Sequence, residues 1–269
     1  MSLTCTIIQT KLFWQDRIAN IQMLGEKIKS VADTHIVVLP EMFSSGFSMN
    51  TEQVAEKMDG ESVNWMKRIC IEKRIILTGS LSINDSGKYY NRMIWMMPDG
   101  SFWYYDKRHL FGYSGEDKVY ERGKRRVITS VNGWKILLQV CYDLRFPAWT
   151  RQQIREQSPD SENNQLHEYD AIIYVANWPE SRSHAWKTLL CARAIENQCY
   201  VIGVNRTGTD GNNIKYNGDS MVIHPSGQVL QHINGSEETV TSILSKDELD
   251  EFRNKFPFLK DADSFTLRL

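Results

Sequence analysis

The 269-residue sequence has few cysteines and histidines, and their spacing fits neither a structural zinc site nor a disulfide framework. The five cysteines are an odd number, are scattered along the chain, and form no Cys-x-x-Cys pair. The six histidines form neither a His-x-His nor a His-Glu-x-x-His motif. These absences argue against a zinc-stabilised domain and against a small disulfide-bonded secreted domain.

The sequence also lacks an excess of charge and a long apolar run. Its 32 Lys and Arg residues balance 33 Asp and Glu residues, for a formal net charge of −1. That balance predicts no attraction to nucleic acid or to an anionic membrane, and the basic run at residues 122–126 is interpreted as a solvated loop. No apolar stretch is long enough to span a bilayer, and the N-terminus does not resemble a signal peptide. We expect a reducing, cytoplasmic setting.

What the sequence does contain is an alternation of strand and helix periods. Hairpins mixed with β-α alternation predict an α/β fold whose sheets each carry helices on one face. The absence of linkers and repeats favours a single domain over residues 1–269. Predicted strands cover residues 4–9, 35–39, 134–140, 171–176 and 199–204, hairpins cover 75–97 and 220–233, helices cover 15–31, 62–73, 184–198 and 246–255, and a surface loop covers 158–167.

A first segment with chemical potential is the Pro-Glu-Met-Phe sequence at residues 40–43, directly after a buried strand. The exit of such a strand is where α/β proteins place ligands, so Glu41 is a candidate general base. A second segment is the charged and aromatic run at 105–111, in which Lys107 could stabilise an oxyanion. Taken alone, Glu41 is better explained as a helix-start or loop carboxylate, and the usual explanation of a run such as 105–111 is a solvated charge cluster at the end of a strand.

A third segment, residues 139–147, places Cys141 between an apolar strand and a helix that Pro147 could open. A helix N-terminus and a nearby cation lower a thiol pKa below its free value of about 8.5, so Cys141 is a candidate nucleophile. The alternative is that Cys141 is a small buried hydrophobe, as a lone cysteine most often is. The other four cysteines are interpreted as small buried hydrophobes. A nucleophilic cysteine needs a base, and the residues leave Glu41 and a histidine, His109 or His184, as open alternatives.

Together the three segments resemble the nitrilase superfamily of carbon–nitrogen hydrolases, in which Glu, Lys and Cys follow strands in that order. The matching residues are 40–43, 106–110 and 140–147, with further similarity at 174–179, 192–198 and 218–220. The resemblance runs from the first strand to about residue 258 and is closest to the omega-amidases. In this superfamily, the true nitrilases usually have Trp-Glu after the cysteine. This chain has Tyr142 and Asp143 there, which favours an amide over a nitrile as the substrate.

The resemblance implies a four-layer αββα sandwich, a homodimer, and no metal or organic cofactor. It implies hydrolysis of the terminal amide of 2-oxoglutaramate or 2-oxosuccinamate by water, with Glu41 as base, Cys141 as nucleophile and Lys107 as oxyanion donor. A second glutamate is expected, and Glu116 is preferred to Glu121. N-carbamoyl amidohydrolase, aliphatic amidase and nitrilase activities, or a silent binding module, are the alternatives.

The same resemblance assigns substrate contacts. The backbone N–H of Tyr142 is expected to join Lys107 at the oxyanion. Arg145 is a candidate partner for the far carboxylate of the substrate, because arginine binds carboxylates through two parallel hydrogen bonds, and a structural ion pair is the equal alternative. Three aromatic residues are expected to wall the pocket: Phe43, Phe111 and Trp178.

Overall fold

The computed structural model of the protein describes residues 1–156 and 165–267. Its strands are β1 (Ser2–Gln9), β2 (Ile36–Val38), β3 (Ile76–Asp85), β4 (Lys88–Met96), β5 (Phe102–Asp106), β6 (Ile128–Val131), β7 (Trp134–Val140), β8 (Ile154–Glu156), β9 (Gln165–His167), β10 (Ala171–Ala176), β11 (Tyr200–Asn205), β12 (Thr207–Thr209), β13 (Lys215–Ile223), β14 (Val229–Asn234) and β15 (Glu238–Ser245). Its α-helices are α1 (Arg17–Lys29), α2 (Thr51–Val54), α3 (Glu61–Lys73), α4 (Glu116–Val119), α5 (Pro147–Thr150), α6 (Ser183–Asn197) and α7 (Lys246–Lys255).

Two large sheets carry the fold. The first has the strand order β15-β1-β2-β3-β4-β5, and the second has the order β12-β13-β11-β10-β7-β6, with β14 paired to β13. Strands β1, β2 and β3 are parallel neighbours, as are β7, β10 and β11. Parallel neighbours bring their carboxyl ends to one edge of a sheet, so residues that follow these strands are placed close together.

The central strands of each sheet are buried on both faces, which explains why they read as continuous apolar runs. In β1, Ile7 belongs to the core between the sheets, together with Ile173 of β10. Its neighbour Ile8 points the other way and packs with Leu24 of α1. On the outer face of the second sheet, Gly203 lets α6 approach closely, because a Cβ atom there would lie 2.5 Å from the Leu190 side chain.

The predicted four-layer αββα sandwich is confirmed: helices α1 and α3 cover one sheet, and α6 covers the other. The sequence analysis missed β15, which pairs antiparallel with β1 over its full length. The predicted loop at 158–167 lies outside the described residues as far as 164, and the prediction is wrong for Gln165–His167, which pair with β8. None of the helices in the described part of the chain has the length and apolarity that crossing a membrane requires.

Candidate active site

Glu41 lies just beyond β2 and is completely buried. The residue after it, Met42, has a φ of 44°, so the chain turns sharply there, and the Met42 N–H is held by Ser80 Oγ at 2.9 Å. The Glu41 carboxylate accepts hydrogen bonds from Asn91 Nδ2 at 2.7 Å and from the Asn177 backbone N–H at 2.8 Å. Asn91 belongs to the first sheet and Asn177 follows a strand of the second, so both sheets fix the position of this carboxylate.

Lys107 follows β5 and is held between two buried carboxylates. Its Nζ lies 2.9 Å from Glu41 Oε1 and 2.9 Å from Glu116 Oε2, and all three side chains are fully enclosed. Burial alone would lower the pKa of Lys107, but the charges of Glu116 and Glu41 raise it above its ordinary value. Burial raises the pKa of Glu116, against the opposing charge of Lys107. Lys107 therefore stays protonated, and the two carboxylates hold its ammonium group in one position.

Cys141 occupies the turn between β7 and the short 3-10 helix Cys141–Arg145, with a φ of 45° and 9% exposure. A left-handed backbone at a non-glycine residue costs on the order of 1–3 kcal/mol, and such strain is concentrated at functional sites. The predicted lowering of the thiol pKa is wrong. Burial and the Glu41 carboxylate raise the pKa of Cys141 well above its usual value, and Lys107 offsets this only in part. The thiol is protonated at rest and needs a base during attack.

Asp143 ties the cysteine segment to the lysine segment. Its Oδ1 accepts the His109 N–H at 2.9 Å and contacts His109 Nδ1 at 2.8 Å, and its Oδ2 accepts the Tyr105 hydroxyl at 2.8 Å and the Val140 N–H at 3.1 Å. The His109 ring also stacks on Phe146, with centroids 3.9 Å apart. His109 is thus engaged in positioning, and the Cys141 thiol faces Glu41 instead.

A cavity of about 600 Å³ opens onto Cys141. Four of the five residues predicted to contact substrate line this cavity: Phe111, Tyr142, Arg145 and Trp178. The prediction for Phe43 is wrong, because its ring is fully buried on the helix side of the first sheet, 5.9 Å from the Trp65 ring. The cavity is also lined by residues that the sequence analysis did not select, among them Trp14, Phe47, Asn177, Arg182, Asp210 and Tyr216.

The structure also separates the two candidates for a second glutamate. Glu116 contacts Lys107, and its Oε2 accepts the Phe111 N–H at 2.6 Å. Glu121 is half exposed and lies 3.5 Å from Lys88. Asn91, which bridges Glu41 and Glu116, was missed because an asparagine within a hairpin strand carries no signal in a single sequence. Asn177 could have been found, since it follows the apolar run at 171–176, as Glu41 and Cys141 follow theirs.

Comparisons with known proteins agree with this geometry. The carbon-nitrogen hydrolase family model matches residues 4–254. The chain is 41% identical over 266 residues to the omega-amidase YafV of Escherichia coli K12, covering 98% of each chain, and 29% identical over 249 residues to a 2-oxoglutaramate amidase of Bacillus subtilis, covering 91% of each. A solved CN-hydrolase superfamily protein from Xanthomonas campestris, which carries an arsenic adduct in its active site, is 41% identical, with a TM-score of 0.94 and full coverage of both chains. The chain therefore belongs to the carbon–nitrogen hydrolase family and is an amidohydrolase.

Proposed function

We propose that this amidohydrolase removes the terminal amide of a 2-oxo-dicarboxylic acid monoamide, 2-oxoglutaramate or 2-oxosuccinamate, through a thioester on Cys141. The names of the relatives support the substrate class: one is an omega-amidase at 41% identity, and another is a 2-oxoglutaramate amidase at 29% identity. The observation that carries the proposal is a pair of arginines on the wall of the cavity that opens onto Cys141.

Arg145 and Arg182 line this cavity, and neither forms an ion pair with a carboxylate among the described residues. Each is placed by an aromatic ring instead: Arg145 lies 5.0 Å from the Trp178 centroid, and Arg182 lies 5.2 Å from the Phe111 centroid. Stacked guanidinium groups keep their hydrogen-bonding edges available and bind carboxylates through parallel N–H donors. A substrate with a reactive amide at one end and a carboxylate at the other fits this arrangement.

The acidic residue on the cavity wall does not neutralise these arginines. Asp210 Oδ1 accepts the backbone N–H groups of Asn212 at 2.8 Å and Ile214 at 3.0 Å, and its Oδ2 accepts the Tyr216 hydroxyl at 2.9 Å. Its charge is satisfied within its own loop. The cavity thus offers two cations to an anionic substrate, which explains how a chain with a net charge of −1 can bind a dicarboxylic acid monoamide.

In the proposed acylation step, Glu41 takes the thiol proton as Cys141 Sγ attacks the amide carbon. The raised pKa of the thiol makes this concerted transfer necessary. Lys107 and the backbone N–H of Tyr142 stabilise the tetrahedral oxyanion, and each donor of this kind contributes about 10²–10³ in rate. Glu41 then returns the proton to the leaving nitrogen, and ammonia departs.

In the proposed deacylation step, Glu41 removes a proton from a water molecule that attacks the thioester. The same two donors stabilise the second tetrahedral intermediate. As the C–S bond of this intermediate breaks, Cys141 Sγ takes the proton from Glu41, and the carboxylic acid leaves. Glu116 holds Lys107 throughout, with both oxygens within 3.0 Å of Nζ. A fixed cation needs no reorganisation as negative charge develops, which is the source of electrostatic catalysis in an enclosed site.

A substrate panel tests the proposal. We expect kcat/KM for 2-oxoglutaramate or 2-oxosuccinamate to exceed that for N-carbamoyl amino acids. We expect it to exceed that for aliphatic amides and nitriles by more than about tenfold, since these two classes lack a carboxylate and a hydrogen bond to a charged group contributes roughly 1.5–3 kcal/mol. Ammonia release measures all four classes. A preference for an N-carbamoyl amino acid or a nitrile would contradict the proposed substrate and favour that alternative instead.

The two arginines give a separate prediction. Replacing Arg145 or Arg182 by Gln is expected to raise KM for 2-oxoglutaramate by about tenfold to a hundredfold, since one charge-assisted contact to the far carboxylate is lost. The variants should hydrolyse pentanamide, which has no carboxylate, as well as the unaltered enzyme does. Arg122→Gln, which removes an exposed cation outside this cavity, is the matched control and should change neither substrate. Equal losses on both substrates would show that the arginines only support the fold.

A further inference from the structure

Asn177 carries a buried acceptor that the mechanism above leaves unused. Its backbone N–H donates to Glu41 Oε2 at 2.8 Å, and its side-chain Nδ2 donates to the Glu41 carbonyl oxygen. The second contact fixes the orientation of the side-chain amide, because a flipped amide would place two oxygens against each other. The Oδ1 atom is therefore directed elsewhere, and it has no hydrogen-bond partner among the described residues, although Asn177 is only 4% exposed.

An unpaired buried amide oxygen requires an explanation, because leaving it unsatisfied costs on the order of 1–3 kcal/mol. Asn177 lines the same cavity as Cys141, and its backbone touches the carboxylate that acts as base. Asn205, at the end of the neighbouring strand, is the useful contrast. Its Oδ1 accepts the Trp178 N–H at 2.8 Å, and its Nδ2 donates to the Trp178 carbonyl at 2.9 Å. Of these two asparagines, Asn177 has the unused acceptor and is also the one that lines the cavity at Cys141.

The chemistry of the substrate supplies a partner for this acceptor. A primary amide presents one carbonyl oxygen, which needs donors, and two N–H groups, which need acceptors. Lys107 is a donor with no accepting capacity, so it suits the carbonyl oxygen. The nitrogen must be bound by acceptors, and Glu41 already receives hydrogen bonds from Asn91, Lys107 and Asn177.

We propose that Asn177 Oδ1 accepts a hydrogen bond from the substrate amide nitrogen and thereby selects carboxamides over esters and nitriles, because the alkoxy oxygen of an ester and the nitrogen of a nitrile bear no hydrogen. The inference rests on the amide hydrolysis described above. As the Sγ–C bond forms, the thiol proton moves to Glu41. As the C–N bond breaks, its electron pair stays on nitrogen, which takes that proton and leaves as ammonia. Asn177 holds one N–H throughout, so the nitrogen lone pair is directed at Glu41.

The test compares an amide with its matched ester in Asn177→Ala. The probes are 2-oxoglutaramate and the 5-methyl ester of 2-oxoglutarate, which form the same thioester, and kcat/KM reports only the steps up to departure of the leaving group. We expect the ratio of amide to ester kcat/KM to fall by about tenfold to a hundredfold, since only the amide loses a hydrogen bond to its nitrogen. Asn177→Ala also removes the hydrogen bond to the Glu41 carbonyl oxygen. The resulting loss of rate lowers kcat/KM for the amide and for the ester alike, so it cancels in the ratio.

Asn205→Ala is the matched control, because it loosens the same loop without removing an unused acceptor. It is expected to lower both rates and leave their ratio unchanged. Should Asn177→Ala fail to fold, Asn177→Ser, which keeps a polar group near the Glu41 carbonyl, is measured instead with the same expected ratio. A ratio that does not change in the Asn177 variant would overturn the inference. If the unaltered enzyme does not hydrolyse 2-oxoglutaramate, the substrate proposal fails, and the ratio is measured with propanamide and methyl propanoate.

Discussion

Replacing Cys141 by Ala is expected to reduce ammonia release from 2-oxoglutaramate by at least about 10⁴-fold, as loss of a nucleophile does in other covalent hydrolases. Cys141 is the cysteine that opens onto the cavity, and its thiol faces Glu41. Two other cysteines, Cys5 and Cys70, are buried in the cores, where burial raises the pKa of each to about 12. Neither of them lines the cavity, and among the described residues neither thiol has a carboxylate partner.

The Cys141→Ala enzyme should remain folded, with a free energy of unfolding within about 1 kcal/mol of the unaltered value, because one small side chain at the cavity wall is lost. Cys191→Ala, which removes a partly exposed thiol on α6, is the matched control and should keep full activity. Labelling with iodoacetamide should modify Cys141, whose thiol opens onto the cavity beside the Glu41 base, and leave the enclosed Cys70 and Cys199 unmodified. Undiminished ammonia release from folded Cys141→Ala would refute the assignment of the nucleophile.

Replacing Lys107 by Met is expected to abolish turnover and also to lower the free energy of unfolding by about 3–5 kcal/mol at neutral pH. The catalytic part follows from loss of the oxyanion donor. The stability part follows because Glu41 and Glu116 would be left buried without their shared cation. The sequence alone predicts that substitution of Lys107 leaves unfolding little changed, because a sequence does not show that Lys107 is completely enclosed.

The stability loss in Lys107→Met should shrink as the pH falls. Burial already raises the pKa of Glu116 with Lys107 present, and removing the cation raises it further. A carboxyl group whose pKa is higher in the folded than in the unfolded state binds more protons when folded, so stability increases as the pH falls towards the ordinary value of about 4.3. Urea unfolding at pH 7 and pH 5, together with ammonia release, measures both effects.

Lys107→Met combined with Glu116→Gln is the control, because it removes the repulsion between the two carboxylates but does not restore the donor. This double variant should regain most of the lost stability and remain inactive. A Lys107→Met enzyme that is equally stable at both pH values would contradict the proposed role of the buried carboxylates.

Local sequence signals were sufficient for most of the fold, whereas the choice of Glu41, Lys107 and Cys141 as a set depended on the resemblance to a known family. Apolar runs, turn residues and helical periods are properties of neighbouring residues. The bounds predicted from them for β1, β7, β10 and α7 agree closely with the structure. Strand β15 was missed because its side chains are mostly exposed and its position is set by pairing with β1, more than 200 residues earlier. Edge strands of this kind have little apolar pattern of their own.

The strand pattern of the sequence indicated that Glu41, Lys107 and Cys141 each follow a strand, and the family resemblance implied that the three residues meet in a sandwich fold. The chemistry of these three residues depends on the folded structure, because a pKa depends on charges and burial contributed by distant segments. Cys141 was expected to have a lowered thiol pKa from its local setting, yet burial and Glu41 raise it. Phe43 lies in the core, and Asn177 and Arg182 line the cavity. These positions have one cause, because the packing of the two sheets fixes which side chains meet.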